Sequence, residues 1–448
     1  MAIAVFGYLW NRRRFGGIYK TALKSWKLRE VFSNDEWKNY QEAELQKLLQ
    51  HAVTTVPFYR QAFESSGLTH QQLSTFTLAD LHRLPYLEKS ALRSLGESRL
   101  LSSKREPGGE FFSSSGSTGT PTKILFSPRM HQAWSAAFEA RIRHWAGVTI
   151  ATPRGTIGGR RIVEDGDSKG PFYRYNFIEK QTYFSAYHIS RKAVRNYVEG
   201  MIKGKVEYMT GYAMSNYFLA RFIEEEGIQA PNLKAVITSS EKLTQEMRET
   251  FRRVYGCDSY DGYSGVEACG LVSECSAGSL HISPDVGIIE LIKTDGNPAQ
   301  PGEEGEAVCT GLLNYDQPLI RYRIGDVLRL SKVQECSCKV NMPIVDEIVG
   351  RVEDTVIGVD GREMVRFHGI FVDLPGVVEG QVIQHTINEF EIKLVTTSNV
   401  SPEIRKTLET RMISQLGPIN LAIIEVAAIP RNQNGKFKAI ISYVKRPA

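Results

Sequence analysis

The sequence contains no Gly-x-x-x-x-Gly-Lys-Ser/Thr signature, no long apolar run, no dense set of cysteines and no charge stripe of the nucleic-acid-binding kind. Each absence narrows what the chain can be. Without the glycine-lysine signature the usual P-loop nucleotide fold is disfavoured. The apolar stretch from Met1 to Trp10 is about half of the roughly 20 residues that cross a bilayer, and no small-residue cleavage site follows it, so a cytoplasmic protein without a transmembrane segment is expected. Phe6, Tyr8, Leu9 and Trp10, followed by arginines, are expected to form an arm packed on the body, with a membrane-surface contact as the lesser alternative. Six cysteines in 448 residues do not make a disulfide framework. The formal charge of +5, clustered only at Arg12-Arg13-Arg14 and Arg252-Arg253, resembles no nucleic-acid footprint and suits small anionic ligands. There is no internal repeat and no low-complexity tail.

What is present is an ordinary globular composition, 42% hydrophobic and 23% charged, long enough for two or three domains. Trp37, Leu45, Leu48, Leu49, Ala52, Val53 and Phe58 recur at helical spacing between Asp35 and Ala62, and Pro57 is expected to close that run. Helical segments at Val194–Met201, Tyr217–Glu226 and Thr244–Tyr255 then alternate with strands at Ala235–Thr238 and Ser259–Tyr263, the rhythm of an α/β core with parallel strands. Ile288–Ile292, Gly305–Gly311 and Val327–Leu330 are β-type runs separated by Asp-Gly and Pro-Gly turns, predicting a β-rich subdomain. The texture changes near Gly350. Strand-like Val352–Val359, Ile392–Thr396 and Ile423–Val426, with a helix at Pro402–Leu416, suit a small α+β domain. The expected division is residues 1–350 and 351–448.

Ser113 to Lys123 reads Ser-Ser-Ser-Gly-Ser-Thr-Gly-Thr-Pro-Thr-Lys. Hydroxyls, glycine backbone N–H groups and a terminal lysine suit polyphosphate oxygens, although such runs are as often surface linkers. Four further segments follow in order: Tyr260-Asp-Gly-Tyr-Ser-Gly-Val-Glu267, Arg321-Tyr-Arg-Ile-Gly-Asp326, Gly350-Arg-Val-Glu-Asp354 with Asp360-Gly361, and Pro430-Arg-Asn-Gln-Asn-Gly-Lys436. In these motifs, and in Gln46 to Tyr59 with its Val56-Pro-Phe-Tyr, the chain resembles the adenylate-forming superfamily, and within it the phenylacetate–CoA ligase group and its capsule-biosynthesis relatives. The resemblance spans nearly the whole chain.

It implies the adenylate-forming fold, a large α/β domain with a β-rich subdomain plus a small mobile α+β domain, and ATP- and Mg²⁺-dependent activation of a carboxylic acid. A carboxylate becomes an acyl donor by attacking the α-phosphorus of ATP, and charge must be neutralised throughout. On this reading Ser114, Ser115, Gly116, Ser117, Thr118, Gly119, Thr120 and Lys123 hold the β and γ phosphates. Glu267 ligates Mg²⁺. Asp326 accepts the ribose hydroxyls. Tyr263 stacks on adenine, flanked by Asp261 and Ser264, while Ser240 and Glu241 line the base. Arg351 contacts nucleotide, Glu353 and Asp354 mark a hinge, and Lys436 reaches the α-phosphate from the small domain. The expected acceptor is coenzyme A; the rivals are a sugar or amine acceptor, transfer of AMP itself, or a degenerate nucleotide-binding protein. Val266, Ile324, Ser264 and Ala213-Met214 depart from the family pattern, which leaves the ATP chemistry intact and the identity of the acid open. A homodimer is compatible with the chain, as is a monomer.

Cys275, His281, Cys336 and Cys338 carry the ligand types of structural zinc. Spacing alone favours free buried thiols; the resemblance, to relatives with zinc on the same pattern, favours a closed structural site. Cys257, Cys269 and Cys309 are expected to be packing residues, and His131, His144 and His188 to be structural. Arg141, Arg143, Arg154, Arg160 and Arg161 lie among aromatics of the expected acyl pocket; they are read as solvated, with an anionic substrate as the alternative.

Overall fold

Between Arg154 and Ser264 short β-rich runs alternate with amphipathic helices, and the computed structural model turns that alternation into the parallel half of a twelve-stranded sheet. The structure describes residues 2–113, 122–159, 162–163, 170–186, 188–241, 243–349, 356–359, 363–364, 370–371, 374–396, 399–430 and 440–444. The strands are β1 (Glu110–Ser113), β2 (Lys123–Phe126), β3 (Arg154–Gly158), β4 (Tyr173–Asn176), β5 (Gln181–Ser185), β6 (Tyr208–Tyr212), β7 (Ala235–Ser239), β8 (Ser259–Ser264), β9 (Leu271–Glu274) and β10 (Leu280–Ile282). They continue with β11 (Gly287–Ile292), β12 (Glu304–Gly311), β13 (Tyr322–Leu330), β14 (Ile344–Ile348), β15 (Val356–Ile357), β16 (Glu363–Met364), β17 (Val377–Gln384), β18 (Glu389–Thr396), β19 (Asn420–Glu425) and β20 (Ile440–Ser442).

The large sheet runs β11-β12-β13-β14-β10-β9-β8-β7-β6-β3-β5-β4. Strands β8, β7, β6, β3 and β5 are parallel, and every pairing from β8 to β11 is antiparallel. Helices cover both faces of the parallel half, as buried parallel strands require. Helices Val194–Lys203, Ala213–Glu225 and Gln245–Tyr255 bury Tyr197, Leu219 and Phe251 against Phe184, Met209 and Val236 on one face. On the other, Trp26, Ala136 and Ala140 pack on Tyr208, Ala235 and Ile237. Only glycine fits at position 211, where φ is +126° and a Cβ would stand 1.8 Å from the Ile157 carbonyl oxygen of the neighbouring strand.

Pro57 does not close the early helical region. Helix Asn34–Thr55, capped by Ser33 and Glu36 hydrogen-bonding reciprocally, ends at Val56, and Pro57 opens a second helix, Pro57–Ser65. Proline at the first helical position lacks only an N–H that would have been unpaired. Together these helices bury Leu45, Leu49, Ala52 and Phe63 with Val272, Leu291 and Leu328 of the antiparallel half. The second sheet, β19-β18-β17-β20, packs on helix Pro402–Leu416 around Leu408, Met412, Val382 and Ile392, a core of its own. The expected boundary at residue 350 lies outside the described residues, as do Val352 to Thr355.

Several arginines differ from expectation. Arg141, with no exposed surface, donates to Glu30 and Asp285 at 2.7 and 3.1 Å. Arg154 bonds Gln181 and the Glu179 carbonyl, and Arg143 bonds Glu139. They are neither solvated nor free for a substrate: burial forces each to take an internal partner. Arg160 and Arg161 lie outside the described residues. No helix among the described residues is long and apolar enough to cross a membrane.

Candidate functional site

The serine- and glycine-rich loop connects two strands that pair directly. Strands β1 and β2 pair antiparallel, with Ser113 opposite Lys123. Ser114, Ser115, Gly116, Ser117, Thr118, Gly119 and Thr120 lie outside the described residues. The base of the hairpin is clamped. Gln317, fully buried, accepts from the Leu125 N–H at 2.6 Å and donates to the carbonyls of Gly96 and Lys123 at 2.9 and 3.3 Å. Asn314 donates to the Leu125 carbonyl at 3.0 Å. The Lys123 ammonium forms an ion pair with Glu97 at 2.8 Å.

The hairpin root reaches the next motif through Thr122, which no motif reading singles out. Its buried hydroxyl donates to Glu267 Oε1 at 3.4 Å. Glu267 follows the turn that leaves β8, where Ala268 N–H bonds the Gly265 carbonyl at 3.1 Å and a Cβ on Gly265 would sit 2.4 Å from Glu267 Oε2. The glycine therefore allows the carboxylate to fold back beside its own turn.

Tyr263, near the carboxyl end of β8, donates its hydroxyl to Asp326 Oδ2 on β13 at 2.9 Å. Burial and the adjacent Asp326 carboxylate together raise the Tyr263 hydroxyl well above its ordinary range. The phenol is thus a fixed donor, and it orients Asp326 across the boundary between the two halves of the sheet. Ser240 follows β7 with φ at +75°, the left-handed conformation that turns the chain sharply at the end of a parallel strand. Ser240, Glu241, Tyr263 and Ser264 thus cluster by topology at the carboxyl ends of adjacent parallel strands, where open α/β sheets bind ligands.

Asp261 is opposite Thr238 on β7, and its backbone N–H donates to Glu274 Oε2 at 2.7 Å. Burial, reinforced by the nearby Glu274 carboxylate, pushes the Asp261 carboxyl up to about 7. Arg248 bonds Glu274 at 2.9 Å and so offsets one of the two acids.

Below the sheet boundary Cys275, His281, Cys336 and Cys338 converge, their ligand atoms all within 4.8 Å of one another. Cys275 Sγ is 3.7 Å from Cys336 Sγ, and Cys338 Sγ is 3.4 Å from His281 Nε2. Bonds of about 2.3 Å to sulfur and 2.0 Å to nitrogen in a tetrahedron give edges of roughly 3.8 and 3.5 Å, so the donor set has the size of a zinc site. His281 Nδ1 lies 3.1 Å from the Met342 carbonyl, which leaves Nε2 as the ligand atom. Cys257, Cys269 and Cys309 are buried packing residues, as expected. Arg351, Glu353, Asp354 and Lys436 lie outside the described residues.

What the motifs miss are the supports, Thr122, Asn314 and Gln317. For Asn314 and Gln317 the signal is chemical: a run of Asn, Asp and Gln between apolar segments at positions 314–317 must find buried partners.

Residues 361–443 match the family described as the CapK C-terminal domain. Protein CapK of Staphylococcus aureus is 24% identical over 99% of this chain and 97% of its own length. The phenylacetate–coenzyme A ligase of Escherichia coli (strain K12) is 25% identical, over 90% of this chain and 94% of its own. Among solved structures, 2-hydroxyisobutyryl-CoA ligase in complex with 2-HIB-AMP and CoA aligns with a TM-score of 0.59 at 18% identity, covering 92% of this chain and 91% of that one.

Proposed function

We propose that this chain, which belongs to the adenylate-forming superfamily and within it to the group of CapK and the phenylacetate–CoA ligases, activates a carboxylic acid with ATP and passes the acyl group to coenzyme A. One observation carries the reading above the rest. The root of the polar hairpin touches Glu267 through Thr122, and Tyr263, at the carboxyl end of β8, bonds Asp326 of β13, which supports a site for phosphate, Mg²⁺ and ribose beside that strand end.

In the first half-reaction an oxygen of the substrate carboxylate bonds to the α-phosphorus while the bond to the pyrophosphate oxygen breaks, giving acyl-adenylate and pyrophosphate. The loop at 114–120 and Lys123 would hold the departing pyrophosphate. Lys123 must exchange Glu97 for phosphate, an exposed pair that costs little to open. Glu267 would hold Mg²⁺, which supplies charge neutralisation on the phosphate oxygens. Asp326, oriented by Tyr263, accepts the ribose hydroxyls; Asp261, Ser264, Ser240 and Glu241 bound the base. In the second half-reaction the thiol sulfur bonds to the acyl carbon and the carbon–oxygen bond to AMP breaks. Residues 351–448 act as the mobile domain, bringing Arg351 and Lys436 to the nucleotide about a hinge at Glu353–Asp354. Cys275, His281, Cys336 and Cys338 hold structural zinc.

A second reading is acyl transfer to a sugar or amine without coenzyme A, which shares the first half-reaction. Carboxylate-dependent ATP–pyrophosphate exchange over aryl, aliphatic and sugar-derived acids tests the shared first step. At least one acid should drive exchange; bound ATP with no exchange for any acid would overturn the proposal. Thioester formation on adding coenzyme A to a positive reaction supports the first reading, and its absence the second.

A further inference from the structure

Charge that reads as evenly spread over the whole chain is one-signed over its first 29 residues. Arg12, Arg13, Arg14, Lys20, Lys24, Lys27 and Arg29 are there with no Asp or Glu, a surplus greater than the net +5 of the complete chain. These residues form helices α1 (Ala2–Phe15) and α2 (Tyr19–Arg29), both packed on helix Pro128–Phe138.

Helix α1 packs the wrong way round for a helix that meets only water. Its inward side is aromatic and cationic: Trp10 sits edge-on to His131 at 5.0 Å, Arg13 donates to the carbonyls of Gly108 and Phe126 at 2.9 and 2.7 Å, and Arg14 pairs with Glu179. Its outward side carries Val5, Tyr8 and Leu9, exposed at 55, 56 and 59%, with exposed Arg12 one turn on. Positions 5, 8, 9 and 12 share one helical face. On α2, Lys20, Lys24 and Lys27 make an exposed row of the same kind, ending at Leu28 and at Val31, which is 81% exposed.

We propose that α1 and α2 dock this protein on an anionic lipid surface, with Val5, Tyr8 and Leu9 entering the headgroup–acyl boundary and Arg12, Lys20, Lys24 and Lys27 facing lipid phosphates. An apolar face bordered by cations is the composition of helices that lie in a bilayer interface, and tyrosine is favoured at that depth. The charge selects the occupant. A second copy would oppose the same cationic row to itself, whereas an anionic leaflet gains from each lysine. With no spanning helix among the described residues, the contact is peripheral. Because Arg13 holds the hairpin at Gly108 and Phe126, α1 stands between the lipid and the hairpin that carries the polar loop.

Sedimentation of the full chain with vesicles of phosphatidylcholine alone, or mixed with phosphatidylglycerol, tests this. Binding is expected to the mixed vesicles only and to weaken as salt rises. Lys20→Gln with Lys24→Gln and Lys27→Gln should reduce partitioning by about 10²-fold, at roughly fivefold per lysine. Tyr8→Ser with Leu9→Ser should weaken it independently of salt, without changing the melting temperature, because both side chains are exposed. Failure of the wild-type protein to bind mixed vesicles, or equal binding by the variants, overturns the proposal. So does a dimer, measured by light scattering, that Leu9→Glu dissociates, since the face then belongs to a second copy. None of these outcomes depends on which acid, if any, the site activates.

Discussion

Asp261 occupies a place where its charge is disfavoured, and the consequence is a pH dependence of definite sign. Its carboxyl is raised from 3.8 to about 7 by burial and by Glu274, so between those values the folded chain keeps a proton that the unfolded chain releases. Stability from this group is complete below the ordinary carboxylate range and is lost as pH rises toward 7. Asp261→Asn, which mimics the neutral acid, should therefore raise the melting temperature at pH 8 and leave it nearly unchanged at pH 4. A variant less stable than wild type at pH 8 would show that the charged form is the favoured one. The segments that carry Asp261, Tyr263, Glu267 and Asp326 stand out in sequence as short runs that set a carboxylate or phenol beside a glycine. The supports do not. Thr122 meets Glu267 across 145 positions and Arg141 meets Asp285 across 144, and pairing at that distance leaves no local pattern.

At the scale of elements, the four candidate zinc ligands come from three pieces: Cys275 just beyond β9, His281 on β10, and Cys336 with Cys338 in the connection from β13 to β14. These strands are neighbours in the antiparallel half, and β9 lies directly beside β8. A tetrahedral ion would tie a long connection to a short hairpin, and the binding free energy of such an ion is folding free energy. Protein purified without chelator should contain about one zinc per chain, and Cys338→Ser should lose it with a fall in melting temperature on the order of 5–10 °C. Wild-type protein without zinc, or Cys338→Ser with full zinc, would contradict the assignment. Of the strands flanking these ligands, β13 is legible from the Val327–Leu330 run, whereas β9, β10 and β14, three to five residues each, are too short to show a β-type period. The packed N-terminal arm was legible too, but not the inverted orientation of α1, since the side a helix turns inward is decided by partners such as Glu179 and the Phe126 carbonyl.

For the whole molecule the question is what a small domain with its own core is for. Strands β17 to β20 and helix Pro402–Leu416 bury Val382, Ile392, Leu408 and Met412 among themselves, so the unit has the internal packing needed to move as one body. On the proposed mechanism this unit presents Lys436 in one half-reaction and withdraws it in the other, and this yields a test that a static active site would fail. Lys436→Ala should lower acid-dependent pyrophosphate exchange by about 10²- to 10³-fold, the loss typical of removing one preorganised charge from a transition state. Thioester formation from supplied acyl-adenylate should fall far less, because Lys436 is then withdrawn and the charge that develops on departing AMP is met by other groups. Separate rates for the two half-reactions, measured on the same variant, decide the matter. Equal losses would mean that Lys436 only holds the domain together or binds nucleotide throughout, and the alternation of domains would then have to rest on some other group.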